Sequence, residues 1–216
     1  LIRTARRFTA FGAFAALITL APLSARAQFY NFLDQPITTP TPFSDTQGGV
    51  TATFSSPADP GAFQVETSFF ETLTGNVVVN SGAADSVPLI VSFNKLVTSA
   101  SLNFATDDPL DNSGPPRPAA ISTFLVEAFL GGITGTPEGS SAATGSYPTG
   151  FDFPEGTISI TGVNPFDTLE LSASPAPQFA IGDLSITTGS VVPEPGALGL
   201  IPAGIVSLLA VARRRR

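Results

Sequence analysis

The 216-residue chain contains no cysteine, no histidine, no methionine and no tryptophan. Without cysteine there is no disulfide and no thiolate nucleophile. Without histidine there is no imidazole base, and the usual zinc and copper sites lose their ligands. A Ser-His-Asp arrangement is excluded on the same ground. The lack of cysteine does not argue for the cytoplasm, because exported proteins need no disulfide. Positive charge is also scarce through the middle of the chain. Between Gln28 and Ser190 the only cations are Lys95 and Arg117 against 16 carboxylates, a net charge of −14 where the whole chain carries −7. Such a surface repels a phosphate backbone, so the chain is not expected to bind nucleic acid. Sustained helical periodicity is missing too, and 20 glycines with 20 prolines punctuate the sequence too often for long helices.

What is present begins with the two ends. Residues 1–27 place a basic segment, Arg3, Arg6 and Arg7, before an apolar run from Phe8 to about Leu23. "ARA" at Ala25–Ala27 then offers small residues at −3 and −1 before Gln28, which is the pattern of an export signal cleaved between Ala27 and Gln28. At the other end, "ALGLIPAGIVSLLAVA" precedes four arginines, Arg213, Arg214, Arg215 and Arg216. As a helix its length is about 24 Å at 1.5 Å per residue, short of the roughly 30 Å hydrocarbon core. The positive-inside rule accounts for the arginines as the cytoplasmic flank of a short transmembrane helix.

Between the ends lie short runs of alternating apolar residues separated by turns. Val50, Ala52 and Phe54 fall on one side of "GVTATFSS"; "FQVETSFF" follows Asp59-Pro60-Gly61; "GNVVVNSG" is bracketed by glycines. "PLIVSFN", "ASLNFATDD", "STFLVEAFLGG", "EGTISITG", "DTLELSAS" and "QFAIGDLSITT" complete about nine strands of period two. A change of phase at Gly182-Asp183 predicts a bulge in the last strand. The expected fold is all-β, an antiparallel β-sandwich of jelly-roll type over residues 28–190, with a core supplied by the 18 phenylalanines. Residues 106–120 and 132–150 read as loops.

Candidate chemistry in this middle is sparse. Asp107, Asp108, Asp111 and Asn112 gather hard oxygen ligands of the kind Ca²⁺ prefers, with Asp183 as a further carboxylate on the last strand and Asp152 and Glu155 beside the second loop. "DDPLDN" does not follow the spacing of the known calcium loop, and a solvated turn in which Asp and Asn cap their own backbone is the favoured reading. No other cofactor is called for. Glycoside hydrolysis needs only two carboxylates, yet platforms for sugar stacking are few, with no Trp and only Tyr30 and Tyr147. The chain is therefore expected not to be an enzyme.

Pro193-Glu194-Pro195, the short apolar segment with Gly204, and Arg213–Arg216 together resemble the PEP-CTERM sorting signal of exported proteins in Gram-negative bacteria. The resemblance covers residues 193–216. It implies recognition of Pro193, Glu194 and Pro195 by exosortase, a membrane-embedded cysteine protease, with the arginine cluster as the stop-transfer flank. It further implies an inner-membrane intermediate, delivery to the cell surface or extracellular matrix, and an association with exopolysaccharide. The stretch "NPFDTLELSASPAPQFAIGDLSIT" resembles the final strands of β-sandwich domains found ahead of that signal. The leading expectation is a non-enzymatic exported surface or matrix protein. The alternative is a carbohydrate- or calcium-binding module, and the third an extracellular polysaccharide hydrolase. Two or three exposed aromatics on a sheet face would favour the module.

Overall fold

The computed structural model describes residues 26–80, 87–106, 121–150 and 153–189. The export signal, the Pro-Glu-Pro triplet, the apolar C-terminal segment and its arginines lie outside the described residues, as do Asp107, Asp108, Asp111 and Asp152. Ten strands occur among the described residues, with no helix: β1 (Ala27–Tyr30), β2 (Phe43–Gln47), β3 (Val50–Ser55), β4 (Phe63–Thr67), β5 (Asn76–Asn80), β6 (Leu89–Thr106), β7 (Thr123–Leu130), β8 (Thr136–Thr144), β9 (Glu155–Ser174) and β10 (Phe179–Thr188). Every pairing between them is antiparallel.

The local reasons are those of half-buried strands. In β3, Val50, Ala52 and Phe54 are buried and the residues between them are not, as period two requires. Its partner β2 was not anticipated, because "FSDTQ" holds one large apolar residue. The pair is closed by Gly48 and Gly49 with φ of 57° and 77°, between the opposed residues Gln47 and Val50. Two successive positive φ values make the tight hairpin whose twist suits the flanking strands, and glycine takes them without a Cβ penalty.

Two expectations are corrected by β6 and β9. Leu89–Asn94 of "PLIVSFN" and Ala100–Thr106 of "ASLNFATDD" fall in one 18-residue strand, and "EGTISITG" and "DTLELSAS" form one of 20 residues. The register between β6 and β9 shifts between Ser92 and Ser99, with Val97 opposite Phe166. Asn94, Lys95 and Leu96 on one strand, and Val163, Asn164 and Pro165 on the other, are exposed at that bend. Each long strand thereby contributes one half to each of two layers. The first layer runs β2-β3-β6-β9-β7-β8 and the second β4-β5-β10-β6-β9, with β1 beside the later part of β10. The strand at 136–144 also replaces part of the loop expected over 132–150. Small and polar residues suffice there because β8 pairs only with β7, and its single buried side chain is Glu138, which accepts hydrogen bonds from Asn164 N and Nδ2.

The core lies between the layers. Phe124 of β7 stacks on Phe104 of β6 with centroids 4.7 Å apart, and meets the edge of Phe179 of β10 at 5.1 Å. Phe54, Val91 and Leu171 from the first layer and Val65, Val78 and Ile181 from the second belong to the same cluster. Tyr30 is wholly buried there, its hydroxyl donating to Val50 O at 3.0 Å. Burial first, and the negative charge of Asp45 second, push that hydroxyl up to about 12. The phase change expected in β10 is present. The register with β6 shifts between Gly182 and Ser185, and Asp183 stands at φ 51°.

Candidate functional site

The second layer carries apolar residues on both faces. Along β5 and β10, Val78 and Ile181 point into the core, while Val77 and Ala180, with Ala105 of β6, form a smaller cluster on the outer face. The β4–β5 connection covers that face. From this connection Leu73 packs down onto the outer cluster and is buried. It lies directly over Gly182, where a Cβ would be in contact with Leu73 Cβ at 3.4 Å.

Polar contacts fix this loop from beneath. The buried carboxylate of Glu155, at the start of β9, accepts from Glu71 N at 2.9 Å, Thr72 N at 2.6 Å and Thr72 Oγ1 at 2.5 Å. Asn103 Nδ2 donates to Thr72 O and to Asp183 Oδ2, each at 3.1 Å, and Thr74 Oγ1 donates to Asp183 Oδ2 at 3.3 Å. Ser68 Oγ donates to Leu73 O and accepts from Phe70 N, which closes the loop on itself. Backbone donors that would otherwise be buried without partners are thus satisfied.

Held this way, the loop presents Phe69 and Phe70 at the surface. Their rings stack at 4.4 Å, and Phe153 meets them at 5.6 and 5.4 Å. Phe69 is 58% exposed, although it is a large apolar side chain. Beside the three rings opens a cleft of about 270 Å³. Its apolar floor is Val79, Ala105 and Ala180, and its polar groups are Asn80, Thr106 and Gln178. Asn80 Oδ1 accepts from Phe179 N at 3.1 Å, which fixes that side chain. Thr106 is fully buried, and its Oγ1 has no hydrogen-bond partner among the described residues. Among the described residues no charged side chain lines the cleft.

The positions singled out in the sequence fall elsewhere. Asp183 is engaged with Thr74 and Asn103, and among the described residues no group of three or more Asp, Glu, Cys or His is placed to hold a metal ion. Glu155 serves the loop backbone. Tyr30 is in the core and offers no sugar platform. Ala27 and Gln28, on either side of the expected cleavage bond, open β1 opposite Thr187 and Ile186. Glu127 and Glu170 face each other across β7 and β9, and the Glu170 carboxyl is pushed up by burial and then by Glu127; neither lines the cleft. The phenylalanine cluster was missed because "SFF" was read as the end of a strand. Adjacent apolar residues cannot both face one side of a strand, and that break of period was the available signal.

No protein-family model matches the chain, and neither does any curated protein. Among solved structures it is similar to a DUF4465 family protein from Bacteroides caccae, at 12% identity over 82% of this chain and 97% of that one, with a TM-score of 0.42. CsCBM6-3 from Clostridium stercorarium, solved in complex with cellobiose, is similar at 13% identity, covering 70% of this chain and 93% of that one with a TM-score of 0.36. A carbohydrate binding module of Cellvibrio mixtus lichenase 5A, in complex with cellotriose, shares 14% identity over 59% of this chain and 87% of that one, at a TM-score of 0.30.

Proposed function

We propose that the sandwich is a non-enzymatic carbohydrate-binding module and that the Phe69–Phe70–Phe153 cleft is its saccharide site. The observation that supports this is the exposed Phe69 ring stacked on the half-buried Phe70, with Phe153 edge-on to both, beside a mostly apolar cleft with a few placed polar groups. That is the general make-up of a small-molecule site. One face of a pyranose ring is a patch of C–H bonds, which packs favourably on the electron-rich face of an aromatic ring. Asn80 and Gln178, both half-buried at the cleft, would meet the hydroxyl edge. The order of the two leading expectations is thereby reversed, with the binding module ahead of a surface protein of undefined contact. Phe69→Ala is expected to lower retention of the protein in affinity gels containing bacterial exopolysaccharide at least tenfold while its thermal unfolding midpoint is kept. Equal retention of both forms would dismiss the site.

Export remains part of the proposal and rests on residues 1–27 and 193–216. Signal peptidase would cut between Ala27 and Gln28, leaving Gln28 at the head of β1, and exosortase would act near Pro193-Glu194-Pro195. The domain would pass from an inner-membrane intermediate to the cell surface or matrix. Glu194→Ala is expected to accumulate in the membrane fraction as a longer species. A C-terminal mass identical to that of the wild type would reject the sorting reading.

A further inference from the structure

Away from the cleft, towards the other end of β10, three bends carry apolar side chains into solvent. Val163 of β9 is 87% exposed, and Leu96 of β6 is exposed beside it, as are Leu130 and Ile133 at the β7–β8 turn. They are four of the eight large apolar side chains exposed among the described residues. Strand register and hydrogen bonds bring the three bends together. Leu96 precedes Val97, which stands opposite Phe166, so the bend of β6 faces the stretch of β9 that holds Val163. Asn164, the next residue, donates from its backbone N and Nδ2 to Glu138 of β8. Asp167 accepts from Gly131 N and Gly132 N, between Leu130 and Ile133. Single apolar residues at a surface need no explanation. Four gathered at one end mark a surface that something covers.

Two observations point to a lipid surface. The first is where the chain leaves the sandwich. Thr188, the last residue of β10, stands opposite Val97, and a Cβ on Gly189 would lie 3.1 Å from Thr98 Cγ2. The apolar run expected to form a short transmembrane helix begins at Ala197, nine residues after Thr188. Nine extended residues reach at most about 30 Å. The second observation is charge. Residues 28–190 carry a net charge of −14, yet the carboxylates beside these bends, Glu138 and Asp167, are engaged by Asn164 and by the turn amides. Lys95 stands exposed next to Leu96. The charge this end offers a partner is therefore positive. A second copy would bring the same cation and the same acidic body, which repel. Anionic headgroups would take the ammonium while its stem and the apolar side chains enter the acyl boundary.

We propose that this end of the sandwich is a membrane-contact surface, with Leu96, Ile133 and Val163 in the interface of an anionic bilayer and Lys95 against its phosphates. The proposal rests on the reading of residues 197–216 as a membrane segment and is independent of the saccharide reading. The chain has no cysteine, so a single introduced one takes an environment-sensitive fluorophore without competition. Labels are placed at Val163→Cys and Leu96→Cys. The control is Ala58→Cys, exposed on the connection that follows Ser55, at the end of β3 away from the Thr51–Asn94 contact. Each full chain, with its C-terminal segment intact, is reconstituted into vesicles of phosphatidylethanolamine and phosphatidylglycerol.

The labels at 163 and 96 are expected to shift to the blue on vesicles and to be quenched by nitroxide-bearing lipid, and the label at 58 to do neither. Lys95→Glu should lower the contacting fraction about fivefold, an effect that should vanish on phosphatidylcholine alone. If the vesicles hold the chain but the labels at 163 and 96 behave as the one at 58 does, the contact surface is overturned and the anchor stands. If the blue shift appears without lipid and grows with protein concentration, the surface joins two copies and the proposal fails. If the chain does not float with the vesicles, the anchor reading fails and the contact surface with it.

Discussion

Phenylalanine plays two opposite parts on the two faces of one layer. On the inner face Phe104 and Phe179 pack against Phe124 of the other layer and are shielded from water. On the outer face Phe69, Phe70 and Phe153 pack against one another, with Phe69 largely in solvent. The inner rings are held by a whole opposing sheet. Phe69 and Phe70 are held by an eight-residue loop, residues 68–75, that depends on Glu155, Asn103 and Asp183. The same residue type therefore gives stability where a second layer covers it and an exposed aromatic surface where only a loop does.

Substitutions should separate the two faces. Phe124→Ala removes the ring that joins Phe104 to Phe179 and is expected to cost about 3–5 kcal/mol, read as a fall in the urea midpoint. Tyr30 tests the inner face by pH. Its folded pKa is raised above the ordinary value of 10, so the fold favours the neutral hydroxyl. That stability is present below pH 10 and is lost as pH rises through about 12. The loss should be on the order of 2–3 kcal/mol, and Tyr30→Phe should flatten the alkaline limb of a stability–pH curve. Glu155→Gln sets an NH₂ group against the amides it now serves and is expected to cost about 1.5–3 kcal/mol. Amide exchange at Glu71 and Thr72 should accelerate while that of β6 does not. Phe69→Ala comes last, at less than about 0.5 kcal/mol in unfolding, although its effect on saccharide binding is the largest of the set. A large unfolding cost at Phe69 would make the outer rings a second core rather than a surface.

Most of the sandwich was legible because its strands obey period two. Val50, Ala52 and Phe54, or Leu102 and Phe104, declare their buried side by alternation alone. The joins were harder to see. Asn94, Lys95 and Leu96 look like a turn between two strands, but β6 runs on through a bend that exposes them while its pairing with β9 lapses between Ser92 and Val97. β8 carried no hydrophobic signal, since its buried residue is a glutamate serving Asn164. The candidate site was the least legible part. Its rings come from positions 69, 70 and 153, and its floor from β5, β6 and β10. Only the pairing of those strands brings them together.

Strand β10 also settles a question of orientation. Phe179 and Ala180, at its beginning, belong to the cleft, and Thr188, at its end, donates its N–H to Arg26 O where β1 begins. The two ends of a ten-residue strand are about 30 Å apart at some 3.3 Å per residue. Both routes by which the chain enters and leaves the sandwich thus lie at one pole, and the cleft lies towards the other.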